Sequence, residues 1–334
     1  MAYISIRDIY NNWLRLAKQG FEEGVRISVD ASGVSKLVVL GVGGSGVIGG
    51  FVESLSSNYE FPVEVSTVMS PWELNLKTLG DHVLVIAVSY SGNTVETLSC
   101  LNKVMTLPNV RIVGVTSGGK LEKLSEDKGF PIIKVSRGLL PRAAFPQMLF
   151  GILGLLVNSG LSGRLNESAV QKSLEILESS ADAWSEARQL SSIIGERIPV
   201  FVSTWSYRPV AIRFKQELAE NAKTLSFTEF LPDAGHNSIV AWGRDPRRES
   251  YKLISIIGGA NGEEALHESF KEGCGMRVEE WRLRGEDLLS ELLWGAWIAG
   301  LTSLIIAEKN GVDASETREI KTYREFLSKK QVMG

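Results

Sequence analysis

Histidine and cysteine are both scarce in this chain of 334 residues, which contains three histidines and two cysteines. These five residues are widely separated and show none of the spacings of a zinc site or a disulfide framework; they are Cys100, Cys274, His82, His236 and His267. We therefore expect no metal centre, and we expect a reducing, cytoplasmic environment. His82 and His267 are predicted to lie at the surface.

Clusters of basic residues are absent as well, and the net charge is −3 with a sequence pI of about 5.8. A nucleic-acid partner is therefore not expected. The first residues carry Arg7 and Asp8 and lack the apolar core of a signal peptide. Residues 288–307 approach the length of a membrane span, but they include Glu291 and no second span supports that assignment. We predict no membrane partner and a buried core or interface helix there, whose Trp, Leu and Ile side chains supply a dimer core.

The first half of the chain alternates apolar, β-branched runs with stretches of helical periodicity. Each run is short and bounded by small or turn-forming residues, which is typical of a buried strand. Strand, helix and strand in this rhythm predict a parallel sheet with helices on both faces. The predicted strands of this half cover residues 36–41, 62–67, 82–92, 110–119 and 131–135.

The second half repeats this order of elements, with predicted strands at 198–206, 251–259 and 276–283. We therefore predict an α/β fold with two doubly wound parallel-sheet subdomains, each built of three αβα layers. Gly, Ser and Asn accumulate at 158–168, which marks a boundary. The predicted division is an N-terminal helical segment, a first domain that binds phosphate, and a second domain with a linker helix and a C-terminal helix, at residues 1–30, 31–162 and 163–334.

The first predicted strand runs directly into the glycine-rich stretch GVGGSGVIGG at 41–50. Gly41, Gly43 and Gly46 match G-x-G-x-x-G, which alone fits a dinucleotide site, another phosphate site or a tight turn without a ligand. A dinucleotide site also needs an acidic residue at the end of the second strand, and a P-loop needs Gly-Lys-Ser or Gly-Lys-Thr. Neither feature is present here. The second half has lost the glycine turn, so the two halves are not expected to hold phosphate alike, and the first half is the predicted site.

A second turn, SYSGNT at 89–94, follows the third predicted strand and leads into a helix. The carboxyl ends of neighbouring parallel strands face one crevice, so we expect this turn and the glycine turn to converge. Amides and hydroxyls at helix N-termini suit a compact phosphate dianion, and neither turn contains lysine or arginine. This favours a monophosphate over a triphosphate with magnesium. The predicted phosphate-binding residues are Gly43, Gly44, Ser45, Ser89, Ser91 and Thr94.

Five short motifs, GVGGSG, SYSGNT, TSGG, PRAAFPQ and ENAK, together resemble those of the SIS-domain (sugar isomerase) family. Their order is most similar to the archaeal-type bifunctional phosphoglucose/phosphomannose isomerases, and the resemblance runs from about residue 36 to the C-terminus. It implies a cytoplasmic, homodimeric enzyme of glycolysis and gluconeogenesis. The reaction would interconvert glucose 6-phosphate and mannose 6-phosphate with fructose 6-phosphate through a cis-enediol(ate). The resemblance implies no metal and no other cofactor.

The resemblance also implies roles for three residues. Glu220 of ENAK would be the base that moves the proton between C2 and C1, although by helix position alone Glu217 is equally suited. Arg142 of PRAAFPQ would hold the oxygen of the enediolate. His236, in the loop LPDAGHNS, would open the sugar ring and would come from the neighbouring subunit of the dimer.

The C-terminal segment GVDASETREIKTYREFLSKK is where the resemblance implies a lysine that assists ring opening. Alignment on residues 311–313 puts Arg324 at that position, and Lys321 lies one helical turn earlier. Arginine stays charged and is a poor proton donor, so Lys321 and Arg324 both stand as candidates for the ring-opening cation. In the same alignment, Thr317 falls on a threonine that lines the sugar site.

Three other functions fit parts of this pattern. A different SIS isomerase would act on amino-sugar or pentose phosphates, but such enzymes lack the ENAK base with a histidine downstream in a loop. A non-catalytic sugar-phosphate sensor often carries a DNA-binding helix pair, and no basic N-terminal module is present here. A dinucleotide enzyme would bind NAD at the glycine turn.

Overall fold

The computed structural model describes residues 5–80, 82–259 and 262–329. The contacts divide the chain into two compact units. Unit 1 comprises the residues up to Val170 together with those from Thr317 onward, and unit 2 is Gln171–Glu316. The sequence placed the boundary between residues 162 and 163 and the C-terminal helix in the second domain, whereas the contacts group that helix with unit 1.

Parallel strands form the sheet of unit 1: β1 (Lys36–Leu40), β2 (Glu64–Val68), β3 (Val83–Val88), β4 (Arg111–Thr116) and β5 (Ile132–Lys134). Their spatial order is β2-β1-β3-β4-β5, so the strand order reverses between β1 and β3. Leu40 of β1 is in register with Ala87 of β3, and the carboxyl ends of these two strands therefore lie side by side. The predicted doubly wound parallel architecture is confirmed for this unit.

Helices precede, connect and follow these strands, and all six positions of the central strand β3 are buried beneath the layers they form. Their apolar residues recur at helical spacing, which places them against the sheet. The helices up to the unit boundary are α1 (Ile6–Asn11), α2 (Trp13–Val25), α3 (Gly46–Asn58), α4 (Leu76–Leu79), α5 (Val95–Val104), α6 (Gly119–Lys128), α7 (Phe145–Asn158) and α8 (Glu167–Leu174).

The N-terminal helix α2 packs closely against α7 in the core of unit 1. A Cβ atom added at Gly20 or Gly24 would overlap backbone atoms of α7, so only glycine permits this approach. The fully buried Trp13 donates a hydrogen bond from Nε1 to the carbonyl oxygen of Ala143 at 3.1 Å. Helix α2 therefore supports the loop in which Arg142 lies.

Unit 2 contains a parallel sheet of the same kind: β6 (Ile198–Ser203), β7 (Phe227–Phe230), β8 (Tyr251–Ile257) and β9 (Val278–Arg282). Their order is β7-β6-β8-β9, which again reverses beside the first strand. The sequence predicted β6, β8 and β9 but missed β7. This edge strand has four residues and none of them is fully buried, so it lacks the apolar run that marked the others.

The helices of unit 2 are α9 (Ser180–Ile194), α10 (Arg208–Ala222), α11 (Ser238–Arg244), α12 (Glu264–Gly273) and α13 (Leu288–Lys309). Short 3₁₀ helices cover Glu175–Glu178, Asp233–His236 and Arg248–Ser250. The last helix of the chain is α14 (Arg318–Lys329). Both sheets thus alternate strand and helix, and the predicted α/β fold class is confirmed.

Within the described ranges, α13 is the one helix long and apolar enough to cross a membrane, and its apolar window is wholly buried inside the chain. It packs against α9 and α10 of the same unit. The prediction of a core helix is therefore confirmed. The prediction that its side chains supply a dimer core is wrong, because Trp294 and Trp297 are already at most 1% exposed within a single chain.

Candidate active site

The glycine turn lies at the carboxyl end of β1 and leads into α3. Gly43 has φ of 59°, a left-handed conformation that favours glycine. A Cβ atom at Gly44 would lie 3.6 Å from the Cα atom of Arg142, so this part of the turn packs directly on the loop after β5. Ser45 is buried and is the N-cap of α3. The first amides of a helix are free of helical partners and attract an anion.

The serine turn lies beside it, at the carboxyl end of β3. Ser89 is fully buried, and its Oγ shares a hydrogen bond of 2.9 Å with Oγ1 of Thr94. Thr94 is the N-cap of α5, and Ser91 is half-buried between the two. Gly92, with φ of 65°, packs on the backbone of the turn after β4. The structure therefore brings together the predicted phosphate-binding residues of both turns at the position where the strand order reverses.

Arg142 joins this group through its own loop. Arg142 is 3% exposed, and its backbone lies near Gly44, where an added Cβ atom would be 3.6 Å from the Arg142 Cα atom. The preceding residues of the loop are attached to the serine turn by Tyr90, whose hydroxyl donates to the Ser136 carbonyl oxygen at 3.0 Å and accepts from the Leu139 amide at 2.7 Å. The backbone of Arg142 is thus held against the glycine turn, and its buried side chain is a candidate for stabilising a developing oxyanion.

Tyr90 was not singled out from the sequence. It lies between Ser89 and Ser91, and its ring is 7% exposed. Burial raises the pKa of its phenol, so the hydroxyl keeps its proton and can donate at neutral pH. An aromatic hydroxyl inside a serine-rich turn was the available signal, but only the structure shows that it reaches the arginine loop.

The two candidate bases, Glu217 and Glu220, both lie on helix α10 of unit 2, but their surroundings differ. Glu217 is fully buried, forms an ion pair with Arg213 one turn earlier, and accepts a hydrogen bond from Asn221 Nδ2 at 2.7 Å. Asn221 also donates to Ser303 Oγ of α13 at 2.8 Å, which ties this group into the core. Glu220 is half-buried and lies in the last turn of the helix. Glu217 is therefore an interior structural residue, and Glu220 stays the candidate base.

His236 is exposed and ends the 3₁₀ helix that follows the carboxyl end of β7. Glu220 lies near the end of α10, just before the amino end of β7. It is 12 residues from Arg208 at the start of that helix, which is about 18 Å at the rise of an α-helix. The structure therefore places these two predicted catalytic residues at opposite ends of β7. Within one chain it does not bring them together.

The other two histidines differ from each other. His82 is exposed, as predicted. The prediction that His267 lies at the surface is wrong, because it is 3% exposed on α12. Burial lowers its pKa to about 4, so the ring is neutral at physiological pH.

The C-terminal candidates lie in the segment that the contacts group with unit 1. Thr317 is half-buried and its carbonyl oxygen accepts a hydrogen bond from the amide of Lys321 at 3.4 Å. Lys321 and Arg324 are both exposed on α14, so neither is excluded by burial and both stay predictions. In the described part of the chain, no group of three or more His, Cys, Asp or Glu residues is arranged to hold a metal ion.

A family model described as the bacterial phospho-glucose isomerase C-terminal SIS domain matches residues 183–327. A bifunctional phosphoglucose/phosphomannose isomerase from Aeropyrum pernix is 34% identical over 349 residues, covering 96% of this chain and 98% of that protein. A D-glucosamine-6-phosphate 4-epimerase from Sulfolobus acidocaldarius is 29% identical over 329 residues, covering 95% and 96%.

The crystal structure of a hypothetical protein from Thermus thermophilus aligns with a TM-score of 0.76 at 19% identity, covering 97% of this chain and 91% of that one. This likeness supports the fold. The chain belongs to the SIS-domain family of sugar isomerases, in the group of the bifunctional phosphoglucose/phosphomannose isomerases, and it is an enzyme.

Proposed function

We propose that the protein interconverts glucose 6-phosphate and mannose 6-phosphate with fructose 6-phosphate in the cytoplasm, without a metal or another cofactor. The observation that carries this proposal is the convergence of the glycine turn, the serine turn and Arg142 at one edge of the sheet in unit 1. Neutral donors at two helix N-termini suit the 6-phosphate, and a buried arginine beside them suits an enediolate oxygen.

In this mechanism the phosphate is bound by Gly43, Gly44, Ser45, Ser89, Ser91 and Thr94, and Thr317 lines the sugar. Glu220 removes the proton from C2 of the open-chain aldose and returns it to C1, while the proton of the C2 hydroxyl passes to the C1 oxygen. Arg142 stabilises the negative oxygen of the intermediate. Rotation about C2–C3 of the enediol presents either face of C2 to the same carboxylate, so one base serves both epimers.

We propose that His236 opens the sugar ring in the site of a second copy of the chain, in a homodimer. The support is that His236 and Glu220 lie at opposite ends of β7 in one chain. Lys321 or Arg324 supplies the cation for ring opening. Replacing each by methionine distinguishes them, because only the loss of the working cation lowers the rate from the cyclic sugar while leaving open-chain turnover unchanged.

Similarity to the D-glucosamine-6-phosphate 4-epimerase supports a second candidate, an activity on an amino-sugar phosphate. A coupled assay that compares fructose 6-phosphate, mannose 6-phosphate and glucosamine 6-phosphate, each in the presence of a chelator, separates the two. Turnover of glucosamine 6-phosphate alone would replace the hexose assignment. The absence of turnover with every sugar phosphate would favour a sensor, and NAD binding in calorimetry would favour a dinucleotide enzyme.

The decisive variant is Glu220→Gln, which keeps the size of the side chain and removes its basicity. General-base catalysis contributes on the order of 10²–10⁴-fold to a rate, and we expect kcat to fall within that range while KM changes little. Glu268→Gln, at an exposed position of α12, is the matched control and should leave kcat unchanged. Full isomerase activity of Glu220→Gln would contradict the mechanism.

A further inference from the structure

Lys223, the last residue of ENAK, directs its ammonium group at three backbone carbonyl oxygens. Its Nζ donates hydrogen bonds to the carbonyl oxygens of Glu220 at 2.7 Å, Asp313 at 2.8 Å and Glu316 at 2.7 Å. One side chain thereby joins the helix end that carries Glu220 to both ends of the loop Asp313–Glu316.

The backbone of Lys223 adopts a conformation that is unfavourable for a residue with a side chain. Its φ of 54° and ψ of 34° are left-handed, and its amide caps α10 by donating to the carbonyl oxygen of Leu218. Glycine is the residue that a helix end prefers in this conformation, because it has no Cβ atom to strain. The cap itself therefore needs no side chain. The helix cap alone does not account for a lysine here, and two of its three bonds lead away from the helix to the loop Asp313–Glu316.

The loop that Lys223 binds is compact and leads directly into the candidate site segment. Asp313 Oδ1 accepts hydrogen bonds from both the amide and the hydroxyl of Ser315, at 2.8 and 2.7 Å, which closes a tight turn. Asn310 Nδ2 adds a second connection to the end of α10, through the Ala222 carbonyl oxygen at 3.2 Å. Thr317 is the next residue after Glu316 in the chain.

We propose that Lys223 is a positioning residue for the proton transfer. It holds the backbone of Glu220 and the loop that precedes Thr317 in one hydrogen-bonded cluster, and so fixes the base relative to the segment that leads to the sugar. The inference rests on the proposed function, in which Lys223 itself makes no contact with substrate. Displacement of a reacting group by about 1 Å can cost on the order of 10²-fold in rate, so a lost connection here is expressed mainly in kcat.

The variant Lys223→Gly tests this role, because glycine suits the left-handed backbone while it removes all three hydrogen bonds. We expect kcat for fructose 6-phosphate to fall by roughly 10- to 100-fold, with KM within about twofold and little change in melting temperature. Asn109→Gly is the matched control, since Asn109 is also left-handed, with φ of 57°, and lies in unit 1. It should retain wild-type kcat. A kcat of Lys223→Gly within twofold of the wild type would overturn the proposal.

Chemical rescue separates positioning from a general loss of structure. Lys223→Cys treated with 2-bromoethylamine regains an aminoethyl side chain of lysine length that ends in an ammonium group. Cys100 and Cys274 are both buried, and burial raises the pKa of both thiols, that of Cys100 to about 11, so the introduced cysteine is the reactive one. We expect alkylation to restore most of the lost kcat. Complete modification by mass spectrometry without recovery would contradict the proposal.

Glu220→Gln, measured in parallel, shows which idea has failed. An inactive Glu220→Gln beside a fully active Lys223→Gly rejects the role of Lys223 and leaves the proposed isomerase intact. A fully active Glu220→Gln rejects the proposed base, and the positioning role of Lys223 is rejected with it.

Discussion

The two sheets share the reversal of strand order beside their first strands, but the turns at the carboxyl ends of their central strands differ in chemistry. In unit 1 the turns after β1 and β3 contain glycines and hydroxyls, and residues 41–45 and 89–94 include no acidic side chain. In unit 2 the corresponding edge is occupied by carboxylates of the chain itself. Glu291 of α13 accepts hydrogen bonds from the Gly259 amide at 2.7 Å and from the Tyr207 hydroxyl at 2.5 Å.

A second carboxylate accepts a hydrogen bond from the turn between β6 and α10. Glu263 accepts a hydrogen bond from Ser206 Oγ at 3.0 Å, immediately before α10. The ring of Tyr207 is 1% exposed and packs so closely on Gly258 that a Cβ atom there would overlap it. The start of α10 therefore lies beside an internal anion, in the place where α3 of unit 1 begins with Ser45 and glycine.

This difference explains how a duplicated fold comes to have one proposed phosphate site. A helix N-terminus attracts negative charge whether it comes from a ligand or from the protein. In unit 1 this position is the proposed phosphate site, whereas in unit 2 glutamates of the chain itself accept the hydrogen bonds there.

The largest expected effect comes from making the edge of unit 1 resemble that of unit 2. Ser91→Asp places a carboxylate beside the proposed phosphate. Two unit charges about 4 Å apart at an effective dielectric of 20 repel by about 4 kcal/mol, so KM for fructose 6-phosphate should rise by roughly 1,000-fold. Steady-state kinetics measure it, with Ser91→Ala and the exposed Ser269→Asp as controls. An unchanged KM for Ser91→Asp would place the phosphate elsewhere.

The reverse change removes a carboxylate from the carboxyl edge of the sheet in unit 2. Glu291→Ala leaves the Tyr207 hydroxyl and the Gly259 amide without their acceptor, which should lower the free energy of unfolding by about 2–3 kcal/mol. Tyr207→Phe removes one of the two bonds and should cost about 1 kcal/mol. Urea unfolding measures both, and KM should stay unchanged in each. A large increase in KM instead would mean that this edge takes part in substrate binding.

Lowering the pH should destabilise the folded chain through His267 of unit 2. The pKa of His267 is about 4 in the folded chain, compared with 6.5 for an exposed histidine. As the pH falls below 6.5, the unfolded chain therefore binds a proton at this residue that the folded chain does not bind. The stabilisation present above pH 6.5 is lost between pH 6.5 and 4, and at pH 5 the loss is about 2 kcal/mol.

His267→Leu should remove this dependence, since its Nδ1 has no hydrogen-bond partner in the described structure and an apolar side chain fits the site. His82→Gln, at an exposed position of unit 1, should retain the dependence. Denaturant midpoints measured at pH 7 and pH 5 test both variants. An equal loss of stability in His267→Leu and the wild type would show that another group dominates.

A modest effect on the rate is expected from the contact by which unit 1 holds its arginine loop. Tyr90→Phe removes the hydrogen bonds to Ser136 and Leu139 without removing the buried ring. We expect kcat to fall by roughly tenfold, equivalent to about 1.4 kcal/mol, because Arg142 is less well oriented. Tyr251→Phe in unit 2 is the control. A change in KM alone would assign Tyr90 to phosphate binding rather than to Arg142.

The predictable part of the fold was the part with strong local patterns. Apolar β-branched runs identified β1 and β3, and their side-by-side pairing followed from the rule for parallel sheets. The four-residue edge strand β7 has no such run and was missed. His267 was predicted at the surface but is buried, because the packing of its helix turns this side chain inward.

The sequence by itself determined which chemistry is available: hydroxyl and glycine turns after two strands, an arginine motif and a glutamate motif, with few metal ligands. Such features are local, because a turn depends on the conformational preferences of adjacent residues. Only the tertiary structure decided that Glu217 is interior while Glu220 is not, that Tyr90 reaches the loop of Arg142, and that Lys223 binds a loop 90 residues away. These outcomes depend on which distant elements pack against each side chain, and packing of that kind is not encoded in the spacing along one helix or turn.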